Sequence, residues 1–156
     1  MKIAMIAPPW IAVPPTNYGG TETVIAFIVE ELVAMGHDVT LFASGDSITS
    51  AKLAPMREQA LRLDPTVKDW VATYYRMVEL IYRQKDEFDI LHFHIDYFPL
   101  QLFSRQDTPY LTTIHGRLDV PEFVETYGTF AQCPFVSISD SQRRPIPQLN
   151  WVKTVY

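Results

Sequence analysis

Short apolar runs of five to seven residues recur along this chain, each closed by turn-forming residues: KIAMIA (2–7), DVTLFAS (38–44), DILHFH (89–94), YLTTIH (110–115), FVSIS (135–139) and VKTVY (152–156). Runs of this length suit strands covered on both faces, since a strand with one wet face would alternate apolar with polar residues. The segments between them read as helices and turns. One helix starts near Thr21, with Glu22 placed favourably against the helix dipole, and Ile25, Ile28, Leu32 and Met35 follow at helical spacing up to a stop at Gly36. A second is marked by Val67, Val71, Tyr74, Val78 and Ile81, and Pro99 can open a shorter one running through Phe103. Strands alternating with helices define an α/β domain with a mostly parallel sheet and right-handed crossovers. Residues 45–64 lack a clear period and are expected to be loop, with room for a short helix. The 156 residues suffice for one domain with a core.

Composition removes several classes of function. A net charge of -5 argues against nucleic-acid binding, which calls for a basic stripe. Cys133 is the only cysteine, so neither an internal disulfide nor a multi-cysteine metal site can form. The opening MKIAMIA stops at Pro8-Pro9, too short for a secretory apolar core, and no run nears the roughly 18 apolar residues that span a bilayer. The expectation is a cytoplasmic protein with no integral membrane segment.

Ligands of open α/β sheets bind beyond the carboxyl ends of the strands. The first strand is followed by APPWIAVPPTNYGGTETVI (7–25), two proline pairs and a tandem glycine. Gly19 and Gly20 let backbone approach a ligand and present amides at the mouth of the following helix, an arrangement suited to phosphate; a plain turn needing glycine is the simpler alternative. His92, His94 and Asp96 would share one face if their strand continued. Alternate positions on one strand seldom converge on a metal ion, so the two histidines read as hydrogen-bonded core residues. Asp96 would either cap the next helix or reach the cleft. His115 ends its strand just before Gly116 and belongs on the ligand-facing rim, where a neutral imidazole can hydrogen-bond a hydroxyl-rich substrate. Arg117 and Asp119 read as a solvated pair, Ser139 or Asp140 as a cap for the turn after the fifth strand. Cys133 has no evident base, and no G-x-S-x-G or phosphate-loop pattern points to a hydrolase or a nucleoside triphosphatase.

In order along the chain, IAPPW…VPP…YGGTE, FDILHFH, TPYLTTIHG and VSISDSQRRPIPQLNWVKTVY resemble the N-terminal half of GT-B glycosyltransferases of family 4. That group of retaining enzymes has sucrose synthase-like and mannosyltransferase-like members. The resemblance implies a Rossmann-like three-layer sandwich, residues 1–156 forming a single acceptor-side domain, with a C-terminal donor-binding domain in cis outside this chain. It implies transfer from an NDP-sugar to a hydroxyl acceptor, with no cofactor and no metal. Gly19 and Gly20 would lie near the donor diphosphate and His115 near the donor sugar, as the catalytic-site histidine. Asn17, Tyr18 and Asp96 would line the acceptor side, and Ser139 a loop at the cleft. The residues that neutralise the leaving diphosphate would lie in the second domain, so the isolated chain is expected to be inactive. Two other readings stand beside it: a stand-alone nucleotide- or dinucleotide-binding module of dehydrogenase or epimerase type, and a non-catalytic interaction domain. The missing G-x-G-x-x-G and the absent acidic ribose position weigh against the first of these.

Overall fold

The computed structural model describes residues 1–156. Seven strands form one sheet: β1 (Lys2–Ile6), β2 (Asp38–Ser44), β3 (Lys52–Arg57), β4 (Ile90–Phe93), β5 (Tyr110–Ile114), β6 (Phe135–Ser137) and β7 (Trp151–Thr154). Their order is β3-β2-β1-β4-β5-β6-β7 and every pairing is parallel. The chain is an α/β three-layer sandwich, as its alternating runs require.

The first helix, α1 (Gly20–Ala34), covers one face of the sheet. Ile25 and Val29 pack on Ile3, Met5, Val39 and Leu41, all buried. Gly36 ends it in the left-handed region, φ 84°, where an L side chain would be strained. Met35, expected on the apolar stripe, is instead the cap and 72% exposed, since the helix ends at Ala34.

On the opposite face α2 (Trp70–Gln84) lays Tyr74, Met77, Val78 and Ile81 on Ala4, Ile6, Phe42, Leu91 and Phe93. Adjacent residues of β1 thus feed opposite cores, which is why its sequence shows no polar alternation. Asp69 starts α2 by accepting the Ala72 amide at 3.1 Å, so Val67 lies before the helix rather than in it. A third cluster joins the short α3 (Leu100–Phe103) and α4 (Pro121–Thr129) to β5 and β6, with Tyr127 edge-on to Phe135 at 5.7 Å between ring centroids. A single-turn helix, α5 (Asp140–Arg143), follows β6.

Strand β3 corrects the reading of residues 45–64 as loop. It is an edge strand paired only with β2, with a register irregularity between Ala43 and Ser44. Proline is tolerated there because one edge of the strand needs no partner, so Pro55 breaks the sequence pattern without breaking the strand. The short helix expected in this segment is a single 3₁₀ turn, Leu61–Leu63.

Candidate functional site

In an open parallel sheet a crevice forms where successive connections leave toward opposite faces, beyond the carboxyl ends of the strands. Here that point lies between β1 and β4, the neighbours at the centre of the strand order. The 7–19 loop leaves β1 at this point and is tied down along its length. Pro9 and Trp10 carbonyls accept the Leu61 and Arg62 amides at 2.9 and 3.1 Å. Val13 donates its amide to Ser47 Oγ at 3.0 Å and accepts from Ile48 at 2.8 Å. The segment without period thus buttresses the loop.

The loop, the start of α1 and the ends of β4, β5 and β6 enclose a cleft of about 730 Å³. Of the residues singled out from sequence, it brings together Tyr18, Gly19, Gly20 and His115. Asn17 lies in an adjoining depression with Tyr18 and Arg62. Ser139 lines a third, shallower one that also reaches His115. Asp96 is on none of these walls. Strand β4 ends at Phe93, and Asp96 takes a positive φ of 51°, so the alternation that would have aligned it with His92 and His94 stops short. Nor does it cap α3, whose first turn is entered through Pro99 with no side-chain bond. Asp96 is solvent-exposed, though the groups packed around it partly shield its carboxyl from water and raise its pKa. Burial, with the Asp96 charge adding to it, raises those of Tyr74 and Tyr127.

The two glycines differ. Gly19 is buried, and a Cβ there would meet Pro15 Cβ at 2.8 Å and Glu22 Oε2 at 2.9 Å, so the fold itself demands glycine. Gly20 is exposed, and a Cβ would meet nothing within 4 Å. The Gly20 and Thr21 amides have no acceptor in the chain, as expected for the first turn of a helix. Glu22 is buried beside them, and loss of hydration raises its pKa.

The three histidines form one group. His92, His94, Thr113 and His115 project from the same face of β4 and β5, as the register Phe93↔Thr112 sets it. His92 Nε2 is 2.7 Å from Thr113 Oγ1, and His94 Nδ1 is 2.7 Å from His115 Nε2. The His92 and His94 rings lie 4.1 Å apart at 36°. Burial lowers all three pKa values, to about 4 for His92 and His115, so the group is neutral at pH 7. His94 is the hydrogen-bonded core residue expected. His92, read the same way, also reaches the cleft wall. No group of three or more His, Cys, Asp or Glu side chains is placed to hold a metal ion.

Other wall residues take no role in the cleft from sequence alone: Trp10, Ile11, Glu22 and Thr113, which lie within the stretches singled out there, and Arg62, which lies in none. His92 and Thr113 could have been found by extending the face of His115 back across two strands. Trp10 lies in the 7–19 loop already placed at this end of the sheet, whereas Arg62 could not have been found, because only the bonding of its segment to that loop brings it there. Arg117 pairs with Asp119 at 2.6 Å on an exposed surface. Ser139 accepts the Gln142 amide at 3.2 Å, the cap of α5.

An all-parallel sheet with a cleft at its switch point, walled by a glycine-led helix start and a histidine at a strand end, is consistent with a GT-B N-terminal half. The chain belongs to Glycosyltransferase Family 4, whose family model matches residues 18–152. Among solved structures, the fold is similar to sucrose-phosphate synthase from Thermosynechococcus elongatus (TM-score 0.67, 16% identity), covering 98% of this chain and 46% of that one. It is also similar to AviGT4, a glycosyltransferase involved in avilamycin A biosynthesis (TM-score 0.60, 18% identity), covering 94% of this chain and 38% of that one. The chain therefore spans less than half the length of either. No curated protein matches. No helix is long and apolar enough to cross a membrane.

Proposed function

We propose that these residues form the acceptor-side domain of a retaining glycosyltransferase that moves a sugar from an NDP-sugar to a hydroxyl acceptor. A C-terminal donor-binding domain in cis completes the cleft. Gly20 carries this reading: it stands exposed at the start of a 15-residue helix, nothing in the fold occupies the space over its Cα, and it faces the same cleft as His115. Backbone amides at such a helix start hold phosphate oxygens without a counter-ion. In this assignment Gly19 and Gly20 flank the donor diphosphate, and His115, neutral at working pH, hydrogen-bonds the donor sugar near the reacting centre. Tyr18 and Asn17 line the acceptor side, with Ser139 at the neighbouring depression. Asp96 has no role in it. The cytoplasmic expectation accompanies this reading.

The test is sugar transfer by the protein encoded by the full reading frame that contains this sequence, assayed against a panel of labelled NDP-sugars. Gly20→Val and His115→Ala are each expected to lower turnover by about 10²- to 10³-fold, the range for losing one oriented polar contact at a reacting centre. Turnover unchanged in both variants would remove the site assignment. Tight NAD(P) binding without sugar transfer would favour the dinucleotide module instead.

A further inference from the structure

His94 is 2% exposed and its Nδ1 sits 2.7 Å from His115 Nε2, while its own Nε2 is buried with no partner. No carboxylate is among the groups that act on it; burial, His92 and His115 all oppose a charge there. Both rings are therefore neutral, and each carries one proton on one of its two nitrogens. A hydrogen bond between them needs one nitrogen protonated and the other bare, which leaves two arrangements.

If His115 donated from Nε2, the His94 proton would sit on Nε2 and a buried N–H would have no acceptor. If His94 donates from Nδ1, the unpaired atom is a lone pair. Buried N–H groups without acceptors are the rarer defect in folded proteins, and leaving a buried polar group unmatched carries its full desolvation cost. The second arrangement wins. His115 then has its proton on Nδ1, which bonds to nothing in the chain, on a residue that lines both the main cleft and the depression beside it.

We propose that His94 is a positioning residue: by donating Nδ1–H to His115 Nε2 it locks His115 in the Nδ1–H tautomer and presents a fixed hydrogen-bond donor to the cleft. A ring held this way donates to an oxygen of the substrate, a hydroxyl or an oxygen gaining negative charge, and cannot take up a proton through Nε2. The His92 ring packs beside that of His94, 4.1 Å away and tilted by 36°. What the donor is used for rests on the transferase reading above; the tautomer itself does not.

The experiment is therefore spectroscopic and uses this chain at pH 7, labelled with ¹⁵N and free of substrate. Its four histidines, His37, His92, His94 and His115, give few signals in a long-range ¹H–¹⁵N correlation, and His115→Gln identifies the signal of interest. The expected spectrum shows His115 with a pyrrole-type Nδ1 and a pyridine-type Nε2, in an excess of about tenfold, the bias that one net hydrogen bond supports. His115 protonated mainly on Nε2 would overturn the proposal outright. His94→Phe keeps a ring and removes the donor, and is expected to let the His115 proton redistribute to a mixture of both nitrogens. A folded His94→Phe chain in which His115 stays wholly Nδ1–H would also defeat it. Should that variant not fold, the unmodified chain still decides. Sugar transfer enters neither arm, so a failed transferase reading and a failed tautomer lock give different results.

Discussion

At the scale of single residues, the tandem glycine separates two reasons for the same residue type. Gly19→Ala would drive a Cβ to 2.8 Å from the rigid Pro15 ring, a distance that real Cβ atoms do not adopt. Overpacking of that kind costs about 1–3 kcal/mol, so urea denaturation of Gly19→Ala is expected to show a matching drop in stability. Gly20→Ala puts a methyl into open space at the start of a helix, where alanine is the better former. Its stability is expected to be unchanged or raised by up to about 1 kcal/mol, while NDP-sugar turnover in the full protein falls. Equal destabilisation by both would show that Gly20 too serves packing alone. The histidines make a second prediction, for acid stability. Their native pKa values lie below the ordinary 6.5, so below that value the unfolded chain binds more protons than the folded one. The stability they contribute is complete above pH 6.5 and is lost as pH falls toward about 4, at about 1.4 kcal/mol per pH unit for each histidine that must take up a proton. Thermal melts between pH 7 and 4 are expected to show this loss, and His92→Gln to soften it; a flat profile over that window would mean the rings are not held neutral.

At the scale of elements, capping decides where α2 begins. Asp69→Ala removes the bond to the Ala72 amide and is expected to cost about 1 kcal/mol, the usual value of an N-cap, read as a lower urea midpoint with unchanged slope. That residue also shows why the helix was legible but its start was not: Val67 continues the apolar period backward, while the hydrogen bond two residues later sets the boundary. Strands β1, β2, β4, β5 and β6 could be read because both of their faces are largely buried and their residues are mainly apolar, with the polar ones (Thr40, Ser44, Thr112, Thr113 and Ser137) themselves buried. Strand β3 could not, since an edge strand lies half in solvent and here contains Pro55. Helix α4 was missed for a related reason: it buries only Tyr127 fully, too few apolar positions to leave a period, while the single turn α5 was legible only through its cap, Ser139. The cleft divides the same way. His115, Gly19 and Gly20 were legible because strand ends and glycine-led helix starts have fixed places in an open sheet. Arg62 enters through hydrogen bonds between two irregular segments, which no local pattern encodes.

At the scale of the molecule, charge limits what this cleft can do unaided. The ionised side chains on its wall are Arg62 and, once its raised pKa is passed, Glu22; His92 and His115 are neutral. One cation against one carboxylate leaves nothing to offset a nucleoside diphosphate departing with two or more negative charges, and the whole chain carries -5. Helix amides can supply roughly half an elementary charge at one point. Stabilising charge that develops at the leaving group is commonly the largest catalytic contribution, so on the transferase reading proposed above the cations come from outside these residues. Purified residues 1–156 incubated with NDP-sugars are therefore expected to release no nucleoside diphosphate above the rate in buffer, and to bind it weakly enough that physiological salt removes the interaction. Robust release by these residues alone would mean that Arg62 and the α1 amides suffice, and would shift the catalytic burden from a partner domain back onto this one.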